Sequence, residues 1–211
     1  MYFDFHTHHL QETPALLSAY PHEHTEEALA QAAYLSVGVH PWYITAENYA
    51  MQIDWVKKQL HRPTVIAIGE CGLDRACATP WELQICALEE MIALSEDREL
   101  PLILHIVKAH EDILQLRKRH SPRQAWIIHG FRNTSTWVPR YVATGFYLSF
   151  GEKFQENALC QTPIDRLLIE TDDSKCDIAE IYTRIAHLRT EANLASHIKD
   201  NLLHLFPTLI Y

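Results

Sequence analysis

The feature that most restricts the fold of this chain is a regular alternation of short apolar runs with helical patterning. Eight such runs stand at residues 2–6, 15–19, 34–39, 65–69, 102–106, 125–129, 146–149 and 167–171. Strand-length runs separated by helical stretches are the signature of βαβ units and a parallel sheet. Val65-Ile66-Ala67-Ile68 and Leu167-Leu168-Ile169 are continuous rather than alternating, as expected of strands covered on both faces. The pattern predicts an α/β fold, a (β/α)8 TIM barrel, in which all 211 residues make one domain with no repeat or linker. The chain is short for a fold that typically takes ~250 residues. Its weak point is the first βα unit. Only Leu10 to Pro14 or so separates the first two runs, whereas a parallel crossover takes roughly ten residues or more. Either the first helix is missing or 15–19 is not a regular strand.

Between the runs, helix boundaries are legible. Thr79-Pro80-Trp81-Glu82 reads as an N-cap, a proline at the first helical position and the glutamate of a capping box. That helix is expected to run to Arg98. Thr45 is expected to cap a helix over 46–60, and residues 109–119 read as another. A segment from 135 ends at Gly145, with Pro139 disturbing its start. Residues 177–206 read as two helices meeting near Thr190.

The residues that close the runs carry the chemistry. The first strand ends in His6 and His8, which at i and i+2 point to the same side. The third ends in His40, the fourth in Glu70, the fifth in His105, the sixth in His129 and the eighth in Asp172. Barrels of this kind place their chemistry at the carboxyl ends of the strands. Taken singly, His105 and His129 read more naturally as buried histidines bonded to backbone, and Asp173 beside Asp172 reads as a helix cap. Glu70 is harder to explain without a cation or donors, because it follows an apolar strand directly. Taken together, four histidines and two carboxylates in one mouth call for neutralisation by metal. Six ligands exceed one tetrahedral site. They divide into His6, His8 and Asp172 on one ion and His105 and His129 on another, with Glu70 bridging. Two ions ~3.5–4 Å apart suit in-line displacement at phosphorus. Imidazole-rich ligation favours zinc, manganese, iron or nickel over magnesium, without choosing among them.

Charge narrows the partners. A net charge of −9 and a pI near 5.8 exclude a broad basic surface that would hold nucleic acid by counterion release. Arg75, Lys108, Arg132, Lys153 and Lys175 nonetheless follow strands four to eight. Singly, each reads more naturally as a solvated side chain. Lys108 and Arg132, three residues past a candidate ligand, are the expected contacts to an anionic substrate such as a phosphoester. Five cysteines with no CxxC spacing favour reduced thiols. No apolar run approaches ~20 residues, and Met1 leads directly into a strand. The expectation is a soluble cytoplasmic protein with no membrane association and no obligate protein partner. The remaining histidines, His22, His24, His61, His110, His120, His187, His197 and His204, are expected at the surface.

The motifs Phe3-Asp4-Phe5-His6-Thr7-His8, Gly38-Val39-His40-Pro41, Ile68-Gly69-Glu70-Cys71-Gly72-Leu73-Asp74, the strand-terminal His105 and His129, and Leu168-Ile169-Glu170-Thr171-Asp172 occur in one order along residues 1–206. In this they resemble the TatD family of metal-dependent hydrolases, TIM barrels often described as deoxyribonucleases. The resemblance implies two divalent ions on His6, His8, Glu70, His105, His129 and Asp172. It also implies that Asp172 orients or deprotonates the attacking water, and that His40 contacts substrate or supports the ligands. Three stretches depart from the family. Ile106-Val107-Lys108 replaces a serine-arginine-aspartate, Gly130-Phe131-Arg132-Asn133 replaces a cysteine-phenylalanine-serine-glycine turn, and Asp173-Ser174-Lys175 replaces an alanine-proline and a long loop. The expected activity is metal-dependent hydrolysis of a phosphoester, DNA ends or small phosphoesters included, with Asp172 and Glu70 catalytic. An amidohydrolase acting on an amide, lactone or lactam, or a metal-binding scaffold without turnover, are the alternatives.

Overall fold

The computed structural model describes residues 2–210. Met1, from which the first strand was expected to lead, and Tyr211 lie outside the described residues. The strands are β1 (Asp4–Thr7), β2 (Ala15–Ala19), β3 (Tyr34–Val37), β4 (Val65–Asp74), β5 (Leu102–Val107), β6 (Trp126–Ile128), β7 (Phe146–Phe150) and β8 (Leu167–Ile169). They form one sheet in the order β1 to β8, and β1–β2, β3–β4, β4–β5 and β7–β8 pair in parallel. The helices are α1 (Glu26–Gln31), α2 (Tyr49–Gln59), α3 (Trp81–Arg98), α4 (His110–His120), α5 (Val138–Ala143), α6 (Glu156–Gln161), α7 (Ile178–Arg189) and α8 (Leu194–Leu205). Parallel strands in sequential order, with helices between them, have the (β/α)8 topology that the alternation predicts. No described helix is long and apolar enough to cross a membrane.

The first βα unit lacks its helix. Residues 15–19 are a regular strand, paired to β1 through Asp4↔Ala15 and Thr7↔Leu17 with a register shift between them. Two helix starts differ from expectation. Thr45 does not cap a helix at 46, because Thr45 and Asn48 bond to each other: the Thr45 N–H donates to Asn48 Oδ1 at 2.8 Å and the Asn48 N–H to Thr45 Oγ1 at 3.3 Å. That closed turn delays α2 to Tyr49. The capping box at Thr79 does not form either. The Thr79 hydroxyl donates to the Ile44 carbonyl at 3.4 Å, Pro80 stays extended, and α3 opens one residue later at Trp81. Pro139 falls in the first turn of α5, where its missing N–H costs nothing. Thr190 ends α7 in the left-handed region, where the break was expected. The short helices α1 and α6 have too few residues to show a periodic pattern.

The chain groups into two compact units, one of residues up to Leu17 with Ile127 onward and one of Ser18–Trp126. The first is built on aromatic packing. The rings of Phe131 and Phe150 meet edge to face at 5.6 Å, those of Tyr141 and Phe146 at 5.0 Å, and Phe5 packs against Phe206 of the C-terminal segment at 6.3 Å. Helices α7 and α8 are tied to the strands by polar bonds. The Tyr182 hydroxyl donates to the Phe3 carbonyl at 3.0 Å, and Asn201 Nδ2 donates to the carbonyls of Ile164 and Leu167, both at 2.8 Å. The Asp172 N–H donates to the His6 carbonyl at 2.8 Å, and Thr7 and Asp172 form a parallel bridge. The first strand is thereby joined to the segment that follows the last.

The second unit centres on β4, buried along all ten residues, with the buried face of α3 (Ala87, Leu88, Met91, Ile92) packed on it. Gly72 lets β4 lie this close to β5. Its φ is +152°, and a Cβ there would stand 2.0 Å from the His105 carbonyl oxygen. Gly72→Ala must push β5 away at the residue that carries a candidate ligand. Overpacking of this kind costs about 1–3 kcal/mol, so the thermal midpoint should fall by roughly 2–12 °C for a chain of this length. Differential scanning calorimetry checks this, and an unchanged midpoint would refute the close approach.

Candidate metal centre

In the first unit, His6 is fully buried on β1, and its Nε2 lies 3.9 Å from Asp172 Oδ1. His8 Nε2 lies 3.5 Å from the same oxygen. These separations exceed a charge-assisted hydrogen bond of ~2.7–2.9 Å. They match the ~3.4 Å between neighbouring tetrahedral ligands that each stand ~2.1 Å from one ion. The ligand atoms of His6, His8 and Asp172 all lie within 4.8 Å of one another. Asp172 reaches this position with φ +58°, a left-handed conformation that aspartate tolerates better than most residues. Its other oxygen, Oδ2, accepts from Arg132 Nη2 at 3.2 Å, which leaves Oδ1 toward the imidazoles.

Beside this triad, the His129 and His6 rings stand 4.4 Å apart. His129 Nδ1 is 3.7 Å from Glu170 Oε1, and His129, Glu170 and Asp172 make a second group of potential ligands. Glu170 is fully buried. Its Oε1 accepts from the Gly130 N–H at 2.5 Å, while Oε2 is buried and accepts no hydrogen bond. A buried carboxylate oxygen without a donor is costly, and a cation is the partner that its chemistry suits. Asp4, also fully buried, is satisfied differently. It accepts from the Thr171 N–H at 2.9 Å, the Thr171 hydroxyl at 2.5 Å and Gln11 Nε2 at 2.9 Å. Burial pushes its carboxyl up to about 6, against the pull of those bonds.

In the second unit Glu70, 2% exposed, is held from three directions. Tyr20 donates its hydroxyl to Oε2 at 2.7 Å. His40 Nε2 and His105 Nδ1 lie 3.1 Å and 2.9 Å from Oε1. The Trp42 N–H donates to His40 Nδ1 at 3.2 Å, which assigns the His40 proton to Nε2 and makes that nitrogen the donor to Glu70. Burial, then the neighbouring Glu70 charge, push the Tyr20 phenol well above its ordinary value, so Tyr20 remains a donor. On its far side, His105 Nε2 lies 3.4 Å from Asp74 Oδ2. Asp74 also accepts from Trp42 Nε1 and the Ala76 N–H, each at 2.6 Å. Burial alone would raise the Asp74 carboxyl, but those bonds and His105 outweigh it and hold it below the usual carboxylate range. The donor atoms of His40, Glu70 and His105 lie within 4.8 Å of one another, the candidate ligand group of this unit.

The remaining sequence-expected residues take the following places. Within its own unit His129 groups with Glu170 and Asp172. Lys108 is exposed, with φ +54°. Arg75 is engaged by both oxygens of Asp112, at 2.8 and 2.9 Å, and lies 3.8 Å over the Trp81 ring. Lys153 and Lys175 are exposed. His110, expected at the surface, is buried at the start of α4. Asp177, not Asp173, caps α7. Sequence reasoning missed Asp4, Tyr20, Asp74 and Glu170. Glu170 carried the same signal as Glu70, a carboxylate closing an apolar run. Tyr20 closes the second run, but a phenol there does not carry the metal-ligand signal of an imidazole or carboxylate.

Tyr20 gives a direct test of the second unit. Tyr20→Phe removes the Glu70 Oε2 donor while keeping the ring. Loss of a hydrogen bond that orients a ligand typically costs 10–100-fold in metal affinity. Isothermal titration with Mn²⁺ should show a loss of about that size with unchanged circular dichroism, and wild-type affinity would exclude Glu70 as a ligand.

The family described as TatD related DNase matches residues 15–207. The uncharacterized metal-dependent hydrolase YjjV of Escherichia coli K12 is 28% identical over 152 residues, 67% of this chain and 58% of its own length. The 3'-5' ssDNA/RNA exonuclease TatD of Erwinia tasmaniensis is 31% identical over 149 residues, 65% of this chain and 56% of its own. In these alignments the chain spans less than two thirds of its curated relatives. The crystal structure of YjjV, a TatD homolog from Escherichia coli K12, superposes with a TM-score of 0.82 at 22% identity, covering 99% of this chain and 98% of that one. It shares the (β/α)8 fold. The chain belongs to the TatD-related DNase family.

Proposed function

We propose that this chain is a divalent-metal-dependent phosphodiesterase that hydrolyses nucleic acid, with Asp172 and Glu70 as its catalytic carboxylates. The observation that carries this reading is the gathering of carboxylates with imidazoles on and just past the strands: His6, His8 and Asp172 in one unit, His40, Glu70 and His105 in the other. Two divalent ions fit these donors, one on His6, His8 and Asp172 and one on Glu70 with His105. His129 is a further ligand on the Asp172 side. When bound, the ions lower the pKa of water towards ~7 and polarise phosphoryl oxygens.

The residues divide the remaining work. Asp172, restrained through Oδ2 by Arg132, holds Oδ1 in place to orient the attacking water and accept its proton. Glu70, immobilised by Tyr20 and His40, keeps its charge at one point, so His40 acts through Glu70 more than on substrate. Arg132 and Lys108 are exposed and meet phosphate oxygens, Lys108 as a point charge where the family usually has arginine. The nucleic-acid substrate is supported by the family and by the Erwinia tasmaniensis relative named a 3'-5' ssDNA/RNA exonuclease.

The test is hydrolysis of single-stranded DNA and bis-p-nitrophenyl phosphate with Mn²⁺ or Zn²⁺, before and after chelation. Turnover should require metal. Glu70→Ala should lower kcat/KM by at least about 10²-fold, an electrostatic loss of the size seen when one charge-stabilising group is removed, and should reduce bound metal in parallel. A metal-loaded protein that cleaves neither substrate, or a Glu70→Ala variant with full activity, would overturn the proposal.

A further inference from the structure

We propose that Trp42, with Tyr43 beside it, is a stacking platform for the base of the nucleotide next to the scissile phosphate. This rests on the phosphodiesterase reading and assigns a substrate-recognition role to two residues outside the metal-ligand set. Trp42 is 53% and Tyr43 38% exposed. Two large aromatic rings this open to water are explained by a partner more readily than by packing.

Hydrogen bonds fix the turn that carries the rings, and the Trp42 indole itself. Pro41–Tyr43 form a single 3-10 turn capped by His40. The Tyr43 carbonyl accepts from Asn48 Nδ2 at 2.9 Å and Gln52 Nε2 at 2.6 Å. The Trp42 indole donates Nε1–H to Asp74 Oδ2 at 2.6 Å. A flat apolar surface fixed before the ligand arrives loses little entropy on binding.

Its position selects the occupant. The Trp42 ring centroid lies 4.9 Å from that of His40 and 5.3 Å from that of His105, near-perpendicular to both. Those imidazoles belong to the Glu70 ligand group. Tyr43 stands at 76° to the Trp42 ring and flanks it, 6.5 Å from Trp42, 5.3 Å from His40 and 4.1 Å from His22. A phosphate engaged at Glu70 and His105 therefore has an aromatic surface within about a nucleotide's reach. Charge points the same way. A chain of net charge −9 gains little from the phosphate backbone at a distance, so its grip on a strand must be local. Base–aromatic stacking is strong and tolerates every base.

The test compares a thymidine pentanucleotide with a pentamer of abasic residues, equal in phosphates, using Mn²⁺-loaded wild type, Trp42→Ala and Trp42→Phe. Wild type should prefer the base-bearing pentamer by about tenfold or more in kcat/KM, chiefly through KM, as expected for one or two stacked bases. In Trp42→Ala the preference should collapse towards one, and Trp42→Phe, which keeps a ring without the Asp74 bond, should retain most of it. Disturbance of His105 through Asp74 would slow both substrates alike, so an unchanged ratio in Trp42→Ala overturns the platform, as does equal loss in both variants. If Trp42→Ala does not fold, Tyr43→Ala, whose backbone bonds remain, should reduce the same ratio, and no reduction counts against the proposal. If neither pentamer is cleaved by wild type, the phosphodiesterase reading fails by itself. Calorimetric binding of the two pentamers then decides the platform: tighter binding of the thymidine pentamer supports it and equal binding refutes it.

Discussion

Carboxylates buried at the ends of apolar strands set the terms for both units. Each must find donors or a cation, because an uncompensated charge in such surroundings is among the costliest things a fold can contain. The four solutions differ, and the differences sort structure from chemistry. Asp4 is saturated by Thr171 and Gln11, so its task is to bind β1 to the segment after β8. Asp74 takes donors from Trp42 and Ala76 and faces His105 from behind. Glu70 meets two imidazoles and a tyrosine. Glu170 has a single backbone donor on one oxygen and none on the other. Of the four, Glu170 is the one that protein donors leave least neutralised, and both glutamates stand among histidines.

In the unit whose first crossover lacks a helix, β1 is tied to the segment after β8. Thr7 and Asp172 bridge in parallel, the Asp172 N–H bonds to the His6 carbonyl, and the side chains of the same two residues turn toward each other. An ion shared by His6, His8 and Asp172 would add a bond between residues far apart in the chain. Metal binding of this kind contributes to folding as well as to chemistry.

Strand positions were legible in the sequence because they follow from hydrophobic runs, and the residue that ends each run named the candidate ligands. β2, with no helix before it, matched its apolar run residue for residue. Less legible were features decided by competition among neighbours. Thr45 and Thr79 look like helix caps, yet their hydroxyls find other partners first. Tyr20 and Asp74 act on Glu70 and His105 from distant points in the sequence, and no local pattern pairs them. The division of the ligands was also hidden, since seven candidates at strand ends do not reveal which atoms stand within reach of each other.

The central claim is that these clusters are metal ligands rather than polar networks that satisfy one another. Anomalous diffraction from crystals soaked in Mn²⁺, recorded on both sides of the manganese absorption edge, tests it most directly. The account predicts two strong peaks, one within ~2.0–2.3 Å of His6, His8 and Asp172 and one at like distance from Glu70 and His105. Full-occupancy data with no peak at either group, and the hydrogen bonds of Glu70 to Tyr20 and His40 unchanged, would contradict it.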